Sequence, residues 1–320
     1  MFLTTPNIWL QSWASPALTH TMAVISWFGY TRVAIALAVL IVFGFRLRAG
    51  MALLILLGLN SVAIDVAKTT AALPRPFAVD AHVRILGWPT PETTAIAGER
   101  ANATDSERGF GFPSGHVSTT VTFVAGLAGL AGLAGRRWVR VAGLLWVLLM
   151  AVSRLYLGRH FVGDVLGGLA LGGIIVAIGM TALHLSALAH SKATHEVERA
   201  ALISAVVAAG LLASAWVTGR PDIGDTGRLA GMAIAVLLLA RADIVHLPSR
   251  PVARAALVTL AAVSYGLVWA ALTFGLPTAR APVSAGRRVV TSALPAFAML
   301  FVPAAIACRR RPAVLARRDA

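Results

Sequence analysis

Long runs of apolar residues constrain this chain more than any other feature of its sequence. A helix needs about 20 residues to cross a hydrocarbon core of roughly 30 Å, and apolar segments of that length recur here between short polar connections. Of the 320 residues, 58% are hydrophobic and only 13% are charged. Because soluble domains carry about 25% charged residues, the pattern predicts an all-α, polytopic helix bundle in a membrane.

The apolar segments predict about nine transmembrane helices. Their approximate ranges are 24–45, 51–73, 117–135, 138–156, 162–186, 200–218, 228–246, 254–274 and 288–307. A polar stretch at 188–199 separates the first five helices from the last four. We therefore predict a membrane domain over 1–187, a cytoplasmic linker over 188–199 and a C-terminal four-helix domain over 200–320. Trp9 and Trp13 suit a membrane interface, so residues 1–21 are predicted to lie on the bilayer surface.

The basic residues indicate topology rather than a nucleic-acid partner. Lys and Arg total 28 against 13 acidic residues, but the arginines occupy short gaps between apolar runs. Positive charge accumulates on cytoplasmic loops, which places the Arg136–Arg140 loop and the C-terminal tail inside. The loop 74–112 and the stretch Ser153–Asp164 then share the outer face. The single cysteine, Cys308, excludes an intrachain disulfide and a cysteine-based metal site.

Three polar clusters interrupt this apolar background at predicted helix ends. The first pairs Lys68 with Arg75, followed by Pro76, at the outer end of the second span. A lysine here can snorkel to the interface, but ionisable residues at membrane depth are costly and generally functional.

The second cluster is Pro113-Ser114-Gly115-His116, directly before the third span. Its proline and glycine predict a tight turn that leads into a helix, where outward-facing N–H groups bind anions. Ser114 adds a hydroxyl donor and His116 a proton donor. A helix-capping serine beside an interfacial histidine is the alternative for this cluster alone.

The third cluster spans Ser153–Asp164 and contains Arg154, His160 and Asp164. If a helix opens after Gly158, His160 and Asp164 stand at i and i+4 on one face. A carboxylate beside an imidazole fixes its tautomer and stabilises its cation, which suits a nucleophile toward phosphorus. A loop whose arginine and histidine meet lipid headgroups is the alternative.

Taken together, the clusters predict one site for a phosphate. They bring cations, an anion-binding turn and two histidines to the same membrane face, which fits a phosphate monoester or a pyrophosphate. Small residues elsewhere have a plainer interpretation, since glycines at 126, 129, 132 and 135, and at 167, 168, 172 and 173, predict close helix packing. Asp222 and Asp225 are expected to be solvated in an outer turn.

The three clusters resemble the signature of the type 2 phosphatidic acid phosphatase superfamily, K-x6-R-P, P-S-G-H and S-R-x5-H-x3-D, at every signature position. The resemblance covers roughly residues 15–187 and leaves the last four helices outside it. It implies that His160 attacks phosphorus to form a phosphohistidine, oriented by Asp164, and that His116 protonates the leaving oxygen. It also implies that Lys68, Arg75, Ser114, Gly115 and Arg154 bind the phosphoryl oxygens.

The sequence offers no carboxylate cluster for two metal ions, so a metal-independent phosphatase without a cofactor is expected. The expected substrate is a lipid phosphate, with undecaprenyl pyrophosphate or a related polyprenyl phosphate first. Phosphatidylglycerol phosphate, phosphatidic acid and lipid A 1-phosphate are alternatives, as are a lipid phosphotransferase and a vanadate-dependent peroxidase. The Ala/Gly/Arg-rich composition indicates a bacterial source and a cytoplasmic membrane location with the site facing outward. An inactive transporter or scramblase is the non-enzyme alternative.

Overall fold

The computed structural model describes residues 2–87, 110–189, 201–204, 206–207, 209–210, 212–213, 223–242, 244–274, 285–307 and 309–310. Within those ranges five helices are long and apolar enough to cross a membrane, or six if one bent pair counts as a span. The prediction of an all-α, multi-pass membrane protein is confirmed. The count of nine stays a prediction, because nine of the 19 residues in the proposed span 200–218 lie outside the described residues.

Helices are numbered here along the chain. They are α1 (Thr5–Ser12), α2 (Pro16–Trp27), α3 (Thr31–Gly44), α4 (Leu47–Ala71), α5 (Pro76–Val79), α6 (Gly115–Leu130), α7 (Arg137–Tyr156), α8 (Val162–Ala189), α9 (Ile223–Arg241), α10 (Pro251–Phe274) and α11 (Ala285–Ala307). A short antiparallel pair joins β1 (Ile244–His246) to β2 (Arg309–Arg310).

The chain forms two compact units. The first comprises Met1–Ala34 and Ala63–Ala177, and the second comprises Ile35–Val62 and Ile178–Ala320. Helix α4 therefore contributes its first part to the second unit and its last part to the first. The predicted linker 188–199 falls mainly on residues 190–200, which the structure does not describe, so the predicted domain boundaries stay predictions.

The first predicted span, 24–45, is bent rather than continuous. Helices α2 and α3 meet at an angle of 57°. Between them, the N–H groups of Phe28, Gly29 and Tyr30 donate to carbonyls three residues earlier, at distances of 3.0–3.3 Å. This tighter turn replaces the regular helical ladder. Gly29 and Tyr30 lie in this break, and both belong to the first unit.

The glycine-rich third span is shorter than predicted. Helix α6 ends at Leu130 rather than near 135, and Gly132 has a φ of +71°, which a glycine adopts without strain. A side chain added at Gly132 or Gly135 would meet nothing within 4 Å, so these two glycines belong to a turn and the packing role predicted for them is wrong.

Three of the four glycines predicted to pack closely in helix α8 do so, at 167, 168 and 172, whereas a Cβ added at Gly173 would meet nothing within 4 Å and the prediction for that glycine is wrong. A Cβ added at Gly168 would lie 2.5 Å from the Ser114 carbonyl oxygen, and one at Gly172 would lie 2.7 Å from the Ser118 carbonyl oxygen. Both neighbours belong to the start of α6, so the backbones of α6 and α8 approach each other where only glycine fits.

In the second unit, the prediction for Asp225 is wrong. This residue is buried, accepts a hydrogen bond from the Ser61 hydroxyl and forms an ion pair with Arg228. Nearby, a Cβ added at Gly58 would lie 2.8 Å from Leu229 Cδ1. Helix α9 thus packs against α4 residues of its own unit. This packing buries the Asp225 carboxylate, which the Ser61 hydroxyl and the Arg228 guanidinium stabilise. Asp222 lies outside the described residues.

Candidate active site

The three polar clusters converge on one cavity of the first unit. Its volume is about 110 Å³, room for several water molecules. Candidate residues from every cluster line it, together with residues of α2 and of the segment after α5; the lining includes Lys68, Arg75, Gly115, His116, Arg154 and His160. Both histidines therefore line the same cavity, as the sequence predicts.

His160 and Asp164 form the histidine–carboxylate pair expected from their spacing. The Nδ1 atom of His160 lies 3.4 Å from Asp164 Oδ2, and both side chains are 2% exposed. The helix opens at Val162, not directly after Gly158, and the same Oδ2 accepts the Phe161 N–H at 2.8 Å. Because Nδ1 faces the carboxylate, the tautomer with its proton there leaves the Nε2 lone pair available.

The turn before α6 is attached directly to this pair. The Ser114 N–H donates to the Asp164 carbonyl oxygen at 2.9 Å, which joins the second cluster to the third. Ser114 Oγ and His116 Nε2 are buried, and neither has a hydrogen-bond partner among the described residues. A buried polar atom without a partner costs free energy. Of these two residues His116 lines the cavity and Ser114 does not, so the imidazole nitrogen is the one that an oxyanion in the cavity could satisfy.

The cations are buried as well. Arg75 and Arg154 are each 6% exposed, and Arg154 Nη1 donates to the Ser26 hydroxyl at 2.5 Å. Lys68 lies in the last turn of α4 and lines the same cavity. Arg159, which sequence reasoning did not select, is also 6% exposed and lines the cavity. The site therefore concentrates positive charge away from bulk water, where electrostatic attraction is strong.

Burial governs the protonation of His160, which lies between two membrane-spanning helices. Desolvation and then the positive charges of Arg154, Arg75 and Lys68 hold the pKa of His160 well below its ordinary value of 6.5. Each of these effects disfavours the imidazolium. The ring is consequently neutral at physiological pH, which is the form that a nucleophile requires.

Helix α1 stabilises the third cluster through contacts that the sequence does not reveal. Asn7 is fully buried, and its Nδ2 donates to the carbonyl oxygens of Leu155 at 2.8 Å and His160 at 3.0 Å. Gln11 donates through Nε2 to Tyr156 O at 3.0 Å and Arg84 O at 2.7 Å. The segment predicted as a passive interfacial helix therefore holds the backbone on both sides of Gly158, although Trp9 and Trp13 are exposed.

The break between α2 and α3 positions His116. A Cβ added at Gly29 would lie 2.7 Å from His116 Cδ2, so the absence of a side chain there makes room for the imidazole. The Tyr30 ring meets His116 edge to face at 4.5 Å, and the Arg32 guanidinium lies 5.2 Å from the tyrosine ring centre. In the sequence these residues only interrupt an apolar run, which indicates a break but not its purpose.

The donors around the cavity are nitrogen and hydroxyl groups rather than carboxylates. In the part of the chain that the structure describes, no group of three or more His, Cys, Asp and Glu side chains is arranged to hold a metal ion. The arrangement can bind an oxyanion, present a neutral imidazole to it, and offer a second imidazole as proton donor.

The family comparison agrees with the motifs. Residues 49–188 match a family model described as the PAP2 superfamily. The matched range includes all three clusters, so the resemblance expected from the sequence is confirmed. Neither curated proteins nor solved structures gave a match.

Proposed function

We propose that this chain, whose residues 49–188 match the PAP2 superfamily model, hydrolyses the phosphate or pyrophosphate group of a lipid. Members of that superfamily are phosphatases, which supports a phosphatase-type activity on phosphorylated substrates. The observation that carries the proposal is the shared cavity, where His116 and His160 face one space among buried cations.

The proposed reaction has two steps. His160 Nε2 attacks phosphorus and forms an N–P bond, while the bond from phosphorus to the lipid oxygen breaks and His116 gives that oxygen its proton. His116 then takes a proton from water, whose oxygen attacks the phosphohistidine; the N–P bond breaks and inorganic phosphate leaves. Asp164 stabilises the positive charge on the His160 ring during both steps.

The remaining site residues are proposed to bind the phosphoryl oxygens. Lys68, Arg75 and Arg154 would neutralise the charge that develops in the transition state, and Ser114 Oγ and the Gly115 N–H would donate hydrogen bonds. Positioning and charge stabilisation account for most of the catalysis in phosphoryl transfer.

We further propose that the reaction is metal-independent. The cavity presents guanidinium and ammonium groups to the phosphate, the electrostatic role that Mg²⁺ fills in many phosphotransferases. Turnover should survive excess EDTA, and loss of turnover that added Mg²⁺ restores would refute this part of the proposal.

The membrane setting supports a lipid substrate. The protein has several membrane-spanning helices, and the exposed Trp27 joins Ala23 in the lining of the cavity. We propose a polyprenyl phosphate or undecaprenyl pyrophosphate, dephosphorylated at the outer face of a bacterial inner membrane with the C-terminus in the cytoplasm. The C-terminal helices have no proposed chemical role.

A phosphate-release screen tests the function. Purified protein in detergent would be given undecaprenyl pyrophosphate, phosphatidylglycerol phosphate, phosphatidic acid and lipid A, with His160→Ala as the inactive comparison. The proposal predicts release from at least one lipid by wild type and a loss of several orders of magnitude in the variant. Equal rates would exclude the enzyme. Transfer of the phosphoryl group to a second lipid, seen by product analysis, would identify a phosphotransferase instead of a hydrolase.

A further inference from the structure

Arg159 occupies the cavity without belonging to the signature positions. It directly precedes His160, is 6% exposed, and lines the same space as the two histidines. A buried guanidinium is costly unless polar or anionic groups surround it. Its place in the cavity lining makes the residue a candidate for a role in binding that the general phosphatase reaction does not require.

The charge of the cavity exceeds what one phosphoryl group needs. Among the described residues that line it are four cations, Lys68, Arg75, Arg154 and Arg159, and no carboxylate. A phosphate monoester carries a charge of about −1.5 to −2 at neutral pH. Three cations, together with the Asp164 carboxylate beside His160, offset about two negative charges, which matches a monoester. The fourth cation matches the additional charge of a diphosphate.

The surroundings of Arg159 place it beside the apolar wall. Its Nη2 lies 3.5 Å from the Leu86 carbonyl oxygen, and the Leu86 N–H donates to the Leu157 carbonyl at 3.3 Å. Leu86 and Leu157 both line the cavity. A lipid substrate would direct its hydrocarbon part toward apolar side chains, and Arg159 lies beside two of them in the cavity lining.

The backbone keeps the arginine in this place. Gly158 has a φ of +73°, and its Cα faces the Arg84 carbonyl so closely that a Cβ would clash with it. The Arg159 N–H donates to the Arg154 carbonyl at 3.1 Å. A left-handed glycine and a closing hydrogen bond therefore orient the residue before any substrate arrives.

We propose that Arg159 is a specificity residue that binds the lipid-linked phosphate of a diphosphate substrate, so that lipid diphosphates are preferred over monophosphates. The inference rests on the proposed function. As His160 Nε2 bonds to the terminal phosphorus, the P–O bond to the bridging oxygen breaks, and that oxygen stays on the lipid monophosphate. His116 gives that oxygen its proton, and Arg159 balances the negative charge of the remaining oxygens of the lipid monophosphate.

The test compares paired substrates. Wild type, Arg159→Gln and Arg159→Lys are assayed with a polyprenyl diphosphate and the polyprenyl monophosphate of equal chain length, with Arg137→Gln as a control. Arg137 is exposed at the far end of α7, so its variant removes the same charge outside the site. Arg159→Gln is expected to lose about tenfold or more in kcat/KM on the diphosphate beyond its loss on the monophosphate. Arg159→Lys should fall between the two, since it keeps the charge without the planar fork.

Equal losses on both substrates, or no loss on either, would overturn the inference while leaving the phosphatase intact. Absence of phosphate release by wild type from every lipid would contradict the proposed function instead. In that case, calorimetric titration with inorganic pyrophosphate and inorganic phosphate still decides the matter. The inference requires Arg159→Gln to weaken pyrophosphate binding about tenfold more than phosphate binding, and parallel changes in the two affinities would overturn it.

Discussion

Replacement of Gly168 by alanine should disturb catalysis from outside the cavity. Gly168 lies on α8, one turn after Asp164, and its Cα packs against the carbonyl group of Ser114. That serine begins the turn that carries His116. A methyl group added at this position cannot be accommodated by rotating a side chain, because the atom it meets belongs to the backbone.

The size of the effect follows from the contact distance. The new Cβ would lie 2.5 Å from Ser114 O, whereas ordinary contacts begin at 3.4 Å, so the turn and α8 must separate by about 0.9 Å. A displacement of about 1 Å at a reacting group costs on the order of 100-fold in rate. Because both helices can share the movement, we expect kcat of Gly168→Ala to fall by roughly 10- to 100-fold.

The matched control is Gly173→Ala on the same helix. A Cβ there would meet nothing within 4 Å, so the substitution should leave kcat within about twofold of wild type. The assay is phosphate release in detergent, with thermal unfolding measured on both variants. If Gly168→Ala matches Gly173→Ala in kcat, the tight contact does not position the catalytic turn.

Three further outcomes are expected. Asn7→Ala removes two buried hydrogen bonds to backbone carbonyls and should lower kcat by roughly tenfold or more. Ser12→Ala, at an exposed position of the same helix, should leave kcat unchanged. Equal kcat values for the two variants would contradict the role of α1. Asp225→Asn should lower the unfolding temperature, because it leaves Arg228 without its anionic partner. Adding Arg228→Gln to this variant should recover part of the loss. If the two substitutions instead lower the unfolding temperature additively, the ion pair does not contribute to stability. Because the pKa of His160 is lowered in the folded protein, the unfolded chain binds more protons below pH 6.5, so the free energy of unfolding should decrease as the pH is lowered below that value. The decrease should be less steep in His160→Gln. An unchanged slope would contradict the buried neutral ring.

The site residues that could be predicted from the sequence are those whose side-chain type is itself unusual in a membrane segment. Lys68, His116 and His160 could be assigned to one phosphate site because each lies in a polar cluster at the end of an apolar segment. Cations and imidazoles are costly in that setting, which favours a shared role in binding an anion. Their convergence on one cavity follows from helix ends meeting at one face, and the structure agrees.

The supporting residues could not be predicted, because their roles arise only from tertiary contacts. Asn7 and Gln11 lie between 73 and 153 positions before the backbone groups they bind, and an amide in an apolar helix gives no sign of its partner. Gly29 appeared as an interruption of a span, yet its missing side chain accommodates His116. Helix periodicity indicates which face is apolar but not which neighbour packs against it.

The predictions for the third span and for Asp225 were wrong because the local sequence pattern does not determine how these segments pack. The glycine spacing of the third span continues past Leu130, but the helix does not, since Gly132 adopts a left-handed conformation. Asp225 was expected in water because it begins a segment after a polar turn. Its burial depends on Ser61, a residue of a distant helix that no local pattern connects to it.

The central claim is that His116 and His160 act on opposite sides of one phosphoryl group. It can be tested by trapping a phosphoenzyme from a lipid substrate labelled in its terminal phosphate and mapping the modified residue by mass spectrometry. We predict that wild type quenched during turnover carries acid-labile phosphate on His160, and that His160→Ala carries none. Phosphate found on another residue, or retained in His160→Ala, would contradict the claim.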